Sequence, residues 1–239
     1  MSIIVVNDIK KNYKDICALK GVNLEIETGE LFGLLGVNGA GKTTLIKILS
    51  GLTKSSSGEA FIDGYSVNKE IDNIKKIIDV SPQETSLAPN LTVKENLDFF
   101  ASIYDIDDKE YIEYIIDKFN LYDALNKRAK TLSGGYQRRL SIAIALISKP
   151  KVLFLDEPTL GLDVIARREL WHIIENLKGK MTIILTSHYL EEIEALCDRV
   201  AIMSKGNVLE VGSIEEIKAI SGKDKFEDAF VEIVERGNK

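Results

Sequence analysis

The distribution of apolar and polar positions divides the chain into blocks with two different periods. In the first sixty-odd residues, short apolar runs are separated by glycines and charged turns; they read IIVVNDI, GVNLEIE, LFGLLG and GEAFIDG. Runs of this length between turn residues are typical of strands. We therefore predict a small sheet in this part of the chain.

From about Thr92 to Ala129 the apolar positions recur with the 3.6-residue period of an amphipathic helix, in TVKENLDFFASIY and DKEYIEYIIDKFNLYDAL. After Pro150, strands and helices alternate in KVLFLD, ARRELWHIIENLKG, MTIILTSH and YLEEIEALCD. The hairpin RVAIMSKGNVLEVG and a closing helix in GKDKFEDAFVEIVERGNK follow. Such alternation predicts a parallel α/β core. The helical block therefore interrupts an α/β domain, and we interpret residues 1–239 as that one domain.

The composition narrows the class of protein and the partners. The chain has 239 residues, of which 45% are hydrophobic and 28% charged, with a formal net charge of -6. This balance argues against a protein that mainly binds nucleic acid, because no basic surplus exists to neutralise phosphates.

Cys17 and Cys197 are far apart and lack metal-ligand spacing, which favours a reduced, cytosolic setting. The N-terminus lacks signal-peptide features, and the longest apolar segment, LSIAIALI, is too short to span a bilayer.

A phosphate-binding pattern, G-x-x-x-x-G-K-[ST], occupies residues 36–43. Its members are Gly36, Val37, Asn38, Gly39, Ala40, Gly41, Lys42 and Thr43. The glycines let backbone N–H groups surround phosphate oxygens, Lys42 neutralises the β- and γ-phosphates, and the Thr43 hydroxyl can bind Mg²⁺. The alternative is a glycine turn with an unrelated lysine. The strand LFGLLG before the pattern and the helix TTLIKILSGL after it argue for the P-loop.

Two acidic residues follow the apolar strand of VLFLDEPT. Asp156 and Glu157 lie where the strand ends, at the edge where open α/β sheets bind ligands. If residues 36–43 form a P-loop, Asp156 is predicted to help bind the Mg²⁺ held by Thr43. Glu157 is predicted to activate water as a general base, the alternative being a solvated charge at a strand end.

Three further residues are candidates with ordinary alternatives. His188 ends the strand MTIILTSH, which predicts an imidazole beside Glu157, although a histidine in this position is often structural. Gln83 follows the apolar run KIIDV and could offer a neutral oxygen to Mg²⁺ or water, or be an ordinary loop residue. Tyr13 could stack on a base, or be an unrelated core or surface aromatic.

A second glycine-rich helix start, LSGGYQRRL, occupies residues 132–140. Ser133 is predicted to cap the helix, with Arg138 and Arg139 in its first turns. This N-terminus is expected to be an anion site by the same physics as the P-loop. The P-loop already surrounds the phosphates of a bound nucleotide. One chain therefore needs no second phosphate site for that nucleotide.

Five separated stretches together resemble the ATP-binding-cassette domain of ABC transporters. They are GVNGAGKTT, Gln83, LSGGYQRR, LFLDEPTLGLD and TSHYLEE, in that family's order and at roughly its spacings, over essentially the whole chain. The LSGG stretch ahead of the acidic strand is specific to this superfamily. The resemblance implies an α/β fold: a P-loop NTPase core with a mostly parallel sheet, an N-terminal antiparallel β subdomain, and an α-helical subdomain inserted at about residues 87–147.

The resemblance also implies roles for individual residues of the same chain. Tyr13 matches the aromatic residue that stacks on adenine, and Thr44 the residue that contacts the α-phosphate. Gln83 matches the glutamine that binds Mg²⁺, senses the γ-phosphate and couples to the membrane subunit. His188 matches the switch histidine that contacts the γ-phosphate.

The same resemblance implies a role for the second glycine-rich helix start, at residues 132–140. Ser133, Gly134 and Gly135 would serve the γ-phosphate bound to the other subunit, and Asp163 would lie in the loop that runs along that subunit. The implied ligands are ATP and Mg²⁺, and the implied partners are a second copy or a sister ATPase subunit and a transmembrane permease. The chain would then lie in the cytoplasm, peripheral on the inner face of the cell membrane, with no role for nucleic acid.

Two positions depart from the family pattern. Tyr136 replaces the common glutamine, with Gln137 one place later, and Val164 replaces the usual proline after GLD. Both variants, and the tail KFEDAFVEIV, resemble the branch paired with separate export permeases. The alternative function is a soluble cassette ATPase that acts on a protein assembly, such as iron–sulfur cluster assembly, without a permease. A binding module without hydrolysis is disfavoured by the complete set of acid, glutamine and histidine.

Overall fold

The computed structural model describes residues 1–237, so the last two residues of the predicted closing segment lie outside the description. The strands are β1 (Ser2–Tyr13), β2 (Ile16–Glu27), β3 (Leu31–Leu35), β4 (Ser57–Ile62), β5 (Tyr65–Ser66), β6 (Ile78–Ser81), β7 (Val152–Asp156), β8 (Thr182–Ser187), β9 (Arg199–Ser204) and β10 (Asn207–Gly212). The α-helices are α1 (Lys42–Leu49), α2 (Ile71–Ile74), α3 (Val93–Ile103), α4 (Lys109–Lys118), α5 (Gly134–Leu146), α6 (Val164–Glu175), α7 (Leu190–Leu196), α8 (Ile214–Ser221) and α9 (Phe226–Gly237). Short 3₁₀ helices span Tyr122–Ala124 and Ala129–Thr131.

The strands form two sheets. One is antiparallel with the order β2-β1-β4-β5, and the other has the order β10-β9-β3-β8-β7-β6. In the second sheet β9 and β10 form an antiparallel hairpin, and the other pairs are parallel. The small N-terminal sheet was therefore predicted correctly except for LFGLLG, which is β3 in the interior of the parallel sheet. All of β3 is buried, and a strand that is apolar on both faces needs cover on both sides.

The parallel sheet has a hydrophobic core on each face. In β7, Val152 and Phe154 pack toward the antiparallel sheet and α1. Leu153 and Leu155 point to the opposite face, into the core formed with the helices. Alternate side chains of a strand point to opposite faces, so burial on both sides requires an unbroken apolar run. This is why VLFL is continuous rather than alternating.

The long helices α3, α4 and α5 lie between β6 and β7 in the chain, as the interrupted pattern predicts. Thr92 begins α3 with a capping box, in which its hydroxyl accepts from the Glu95 N–H and Glu95 accepts from the Thr92 N–H. A similar box at Ser213 and Glu216 begins α8, which the sequence reading did not predict. None of the helices within residues 1–237 has the length and apolar character needed to cross a bilayer.

Candidate functional site

The segment between β3 and α1 forms a tight loop at the carboxyl edge of the parallel sheet. Gly41 precedes α1 with a φ of +108°, and a Cβ placed on it would lie 2.7 Å from Leu19 Cδ2 and 2.9 Å from the Ala18 carbonyl oxygen. Only glycine tolerates both the backbone conformation and the close packing. The N-terminus of α1, with its free N–H groups and partial positive charge, therefore opens directly onto this loop.

A hairpin turn from a distant part of the chain supports the loop. The N–H of Gly206, between β9 and β10, donates to the Ala40 carbonyl at 3.0 Å, and the Gly206 carbonyl accepts from the Lys20 N–H at 2.9 Å. A Cβ on Gly206 would lie 2.7 Å from the Ala18 carbonyl oxygen. The loop is therefore held by contacts from both sheets.

Lys42 is the first residue of α1, and its side chain is buried. Its Nζ donates to the Gly36 carbonyl at 2.6 Å and lies 3.6 Å from Glu157 Oε1. Burial lowers the pKa of Lys42, and the neighbouring Glu157 carboxylate opposes that shift. An ammonium group removed from bulk water beside a helix N-terminus provides a local positive charge for an anionic ligand.

Asp156, at the end of β7, faces the loop. Its Oδ1 accepts from Thr43 Oγ1 at 3.2 Å and from Thr186 Oγ1 at 2.6 Å. A hydroxyl and a carboxylate beside a phosphate loop are the protein ligands that Mg²⁺ uses when phosphates and water complete its coordination. No cluster of three or more His, Cys, Asp or Glu side chains suited to a metal occurs within residues 1–237. The donor set therefore fits an ion most of whose ligands are phosphate and water oxygens.

Glu157 follows β7 with its backbone in the left-handed region, at a φ of +48°. This region is uncommon for a residue that carries a Cβ. The carboxylate lies between two groups: Oε2 is 2.9 Å from His188 Nδ1, and Oε1 is 3.6 Å from Lys42 Nζ. A carboxylate held at the edge of an open cavity in this way can act as a general base on water.

The two histidines occupy different environments. His188 is partly exposed and lies beside Glu157, as the sequence predicts, with its ring centroid 4.1 Å from that of Tyr189. His172 is exposed on α6, 3.7 Å from Glu175. Only His188 is placed to contact a ligand near Glu157.

A cavity of about 810 Å³ joins these side chains. Its wall consists of residues 38–44 together with Tyr13, Gln83, Glu157 and His188, among others. The Tyr13 side chain at the end of β1 is exposed, so its ring is available to a planar group. The predicted residues Gly36, Val37 and Asp156 adjoin the cavity through their contacts with Lys42 and Thr43.

Four predicted residues are not brought to this cavity. Ser133 caps α5, accepting from the Tyr136 N–H at 3.5 Å, as predicted. Asp163 caps α6, accepting at 2.9 Å from two backbone N–H groups. The other two residues, Gly134 and Gly135, lie close to the chain around Asp163, where a Cβ on Gly135 would be 3.1 Å from Ala166 Cβ. These residues form a separate surface, built around two helix N-termini.

The arginines of LSGGYQRRL do not extend that surface, contrary to the sequence expectation. Arg138 is buried and donates to the carbonyls of Pro82 and Gln83, each at 2.7 Å, and to that of Glu157 at 3.4 Å. Arg139 pairs with Glu169 of α6. Both side chains emerge after the first turn of α5, on faces that are packed against the rest of the domain.

Two residues at the site were missed by sequence reasoning. Arg138 was assigned to a different role, and nothing in its local pattern indicates contacts with carbonyls of other segments. Thr186 was not singled out, although a hydroxyl within the apolar run MTIILTSH was a usable signal. A polar group inside a buried strand needs a partner, and here that partner is Asp156.

Comparison with known proteins identifies the arrangement. The ABC transporter family profile matches residues 19–160. The linearmycin resistance ATP-binding protein LnrL of Bacillus subtilis is 39% identical over 224 residues, covering 91% of this chain and 71% of that protein. The human phospholipid-transporting ATPase ABCA3 is 42% identical over 203 residues, which are 84% of this chain but only 12% of ABCA3.

A solved structure has the same fold. The ATP-binding cassette MJ0796, in a dimeric post-hydrolysis state with ADP and phosphate, superposes with a TM-score of 0.78 at 27% identity, covering 88% of this chain and 98% of that one. The phosphate loop, the acidic strand end and the helical block together correspond to a nucleotide-binding ATPase unit. The chain therefore belongs to the ABC transporter family, as an ATP-binding cassette of the kind that hydrolyses ATP.

Proposed function

We propose that this chain works as one half of a dimer that closes on two ATP molecules with Mg²⁺, and that their hydrolysis drives export by a separate transmembrane permease. The observation that carries the proposal is the position of Glu157, between Lys42 and His188 on the wall of the nucleotide cavity. We treat residues 1–239 as one cassette domain, with its helical subdomain at about residues 87–147.

ATP binding is assigned to the cavity and the P-loop. Tyr13 would receive adenine on its exposed ring, while the backbone of residues 36–44 would surround the phosphates. Lys42 would neutralise the β- and γ-phosphates. Its ammonium group already lies within the loop, bonded to the Gly36 carbonyl, and a phosphate offers it a stronger, charged acceptor.

The metal is assigned to Thr43, Asp156 and Gln83. Bound Mg²⁺ supplies charge neutralisation for the phosphates that carry the developing negative charge. The support is the direct contact between Thr43 and Asp156 and the place of Gln83 in the same cavity wall. Nothing in the donor set favours a softer metal, since all three side chains offer oxygen.

The hydrolytic step is assigned to Glu157 with His188. Glu157 would accept a proton from the attacking water, and a base in this position contributes roughly 10²- to 10⁴-fold in rate. His188 would orient the Glu157 carboxylate through the 2.9 Å contact and reach the γ-phosphate from the same edge. Catalysis would otherwise depend on positioning and on charge stabilisation by Lys42.

The dimer accounts for the residues that lie outside the cavity. Ser133, Gly134 and Gly135 would complete the γ-phosphate site of the other subunit, and Asp163 would lie along that interface. The exposed helix start at Ser133 supports this role, because its N–H groups are suited to bind an anion. It lies outside the nucleotide cavity of its own chain, so that anion would be the γ-phosphate bound by the other subunit. MJ0796, which shares the fold, was solved as a dimer. Size-exclusion chromatography of this chain alone distinguishes a dimer of two copies from a dimer with a sister chain.

Transport is assigned from the relatives. LnrL is named as an ATP-binding protein of linearmycin resistance and ABCA3 as a phospholipid-transporting ATPase, both in keeping with export. The helical subdomain would dock on the permease and hold the chain against the inner face of the membrane. Co-purification with a multi-span membrane protein supports this assignment, whereas capture of a soluble assembly alone contradicts it.

The dimer cycle is tested by Glu157→Gln, which removes the base and preserves the shape of the side chain. We expect the variant to bind ATP, to lose turnover by roughly 10²-fold or more, and to elute as a dimer in size-exclusion chromatography with ATP and Mg²⁺. Wild-type protein with ATP, which it hydrolyses, is the control and should return to monomer. A variant that remains monomeric with ATP contradicts a sandwich of two copies of this chain.

A further inference from the structure

Thr186 connects the two acidic residues of the site through one hydroxyl group. It is fully buried near the end of β8 and is paired in register with Asp156 of β7. Its Oγ1 donates to Asp156 Oδ1 at 2.6 Å and accepts from the Glu157 N–H at 2.9 Å. Because a backbone N–H can only donate and a carboxylate oxygen accepts, the hydroxyl proton is directed to Asp156. The direction of this hydrogen-bond chain is therefore determined.

The backbone at Glu157 needs such support. A glutamate at a φ of +48° is in a conformation that L-residues with a Cβ rarely adopt, and it persists only where surrounding contacts hold it. The Glu157 N–H is bound by the Thr186 hydroxyl and, at 3.2 Å, by the Thr186 carbonyl. On the other side of the residue, Arg138 donates to the Glu157 carbonyl at 3.4 Å. The shortest of these contacts is the one made by the hydroxyl.

We propose that Thr186 is a positioning residue for the ATPase reaction, whose hydroxyl fixes the Asp156 carboxylate for the metal and the Glu157 backbone for the base. The inference rests on the roles proposed above for Asp156 and Glu157. Thr186 touches neither the nucleotide nor the reacting water in this assignment. It acts through the two acids, as outer-shell groups do around metal ligands.

A valine at position 186 keeps the volume and the β-branching but removes the hydroxyl. Asp156 Oδ1 then keeps only the longer bond from Thr43, and the Glu157 N–H keeps only the Thr186 backbone carbonyl as an acceptor. The P-loop and Lys42 are untouched. The defect should therefore appear in metal binding and in turnover, with metal-free nucleotide binding preserved.

The test uses Thr186→Val, Thr186→Ser and Thr182→Val in the full chain. Thr182 begins the same strand and is equally buried, and its hydroxyl accepts from the Gly29 N–H at 2.9 Å, at the far end from the cavity. Three quantities are measured: ATP affinity in EDTA by calorimetry, Mn²⁺ affinity with a non-hydrolysable ATP analogue by electron paramagnetic resonance, and kcat with KM for ATP.

For Thr186→Val we expect metal-free ATP affinity within about 2-fold of wild type, with Mn²⁺ affinity and kcat each lower by roughly 10- to 100-fold. Thr186→Ser should restore both to within about 3-fold, because it retains the hydroxyl. Thr182→Val should lower the melting temperature and leave all three quantities unchanged. Wild-type Mn²⁺ affinity and kcat in Thr186→Val, or equal losses in Thr182→Val, would overturn the assignment.

Two further comparisons keep the inference open to refutation. If Thr186→Val does not fold, Thr186→Ser is compared with Thr186→Ala, which differs from it only by the hydroxyl, and equal Mn²⁺ affinities for this pair refute the proposal. If Glu157→Gln retains full turnover, the proposed base is wrong, but the Mn²⁺ measurement still decides whether Thr186 orients Asp156. The two failures are thus distinguishable.

Discussion

Nη2 of Arg138 lies 2.7 Å from the backbone carbonyl oxygen of Gln83, which attaches α5, the helix capped by Ser133, to the loop that lines the nucleotide cavity. The same guanidinium reaches the carbonyls of Pro82 and Glu157, so one buried side chain connects three segments that are distant in sequence. A guanidinium suits this task because its five donors spread in a rigid fork.

Replacing Arg138 by methionine should therefore destabilise the domain. The change preserves the length of the side chain but removes the Arg138 donors from the carbonyls of Pro82 and Gln83 and leaves the Glu157 carbonyl with only the Leu160 N–H. We expect this loss to lower the free energy of unfolding by roughly 2–4 kcal/mol. Urea denaturation gives this value directly. Arg168→Met, at an exposed position on α6, is the matched control and should change stability by less than about 0.5 kcal/mol. Equal effects of the two substitutions would show that the Arg138 contacts do not stabilise the fold.

Removing the Lys42 ammonium should weaken nucleotide binding. In Lys42→Ala the P-loop keeps its backbone donors but loses its charge, so ATP affinity measured by calorimetry should fall by about 10-fold or more. Lys47→Ala removes an exposed lysine from the same helix and should leave the affinity unchanged. Unaltered ATP binding by Lys42→Ala would contradict the assigned role of the loop.

A bulky cation at Ser133 should separate binding from hydrolysis. Ser133→Arg leaves the cavity of its own chain intact, so ATP affinity should be preserved, while the blocked helix start should reduce ATPase activity by about 10-fold or more. The loss of the cap itself costs about 1 kcal/mol, and Ser213→Arg at the start of α8 reproduces that cost away from the site. Near-normal ATPase activity in Ser133→Arg would refute a role of this surface in the partner's site.

Glu192 of α7 should make stability depend on pH. Its carboxyl is fully buried and accepts from Trp171 Nε1 at 3.1 Å. Burial raises the pKa of Glu192 above its ordinary value of 4.5, although the hydrogen bond from Trp171 opposes the shift. The folded state then binds the proton more tightly than the unfolded state, so this contribution to stability is present below pH 4.5 and is lost as the pH rises through the raised pKa.

Glu192→Gln removes the titration and keeps an acceptor for Trp171. The variant should gain stability relative to wild type as the pH rises from about 5 to about 8, measured by urea unfolding at both values. Glu191→Gln, at the exposed neighbouring position, should show a difference from wild type that does not change with pH. A pH-independent difference for Glu192→Gln would mean that this carboxyl does not titrate differently on folding.

Sequence reasoning succeeded where chemistry is encoded locally and failed where it depends on contacts between distant segments. The loop at residues 36–43, the acidic pair at the end of β7 and the cap at Ser133 are local patterns, and each lies in the predicted element. The meeting of His188 with Glu157 could be predicted because parallel strands end at one edge. The inward turn of Arg138 and the left-handed backbone of Glu157 could not, since both depend on neighbours 19 to 56 residues away in the chain.

The placement of β3 is a different case, because its sequence carries a usable signal. LFGLLG is a continuous apolar run, unlike the alternating GVNLEIE, and such a run is typical of a strand buried on both faces. The contribution of the turn at Gly206 to the P-loop, by contrast, has no signal in either segment alone.

That turn has a consequence for how the protein matures during synthesis. The loop that receives the phosphates is complete in sequence by Thr44, yet its Ala40 carbonyl is bound by an N–H that the ribosome adds some 160 residues later. At about 5–20 residues per second, this interval lasts on the order of 10–30 seconds. A nascent chain thus carries the complete P-loop sequence long before it carries the Gly206 turn that holds the Ala40 carbonyl.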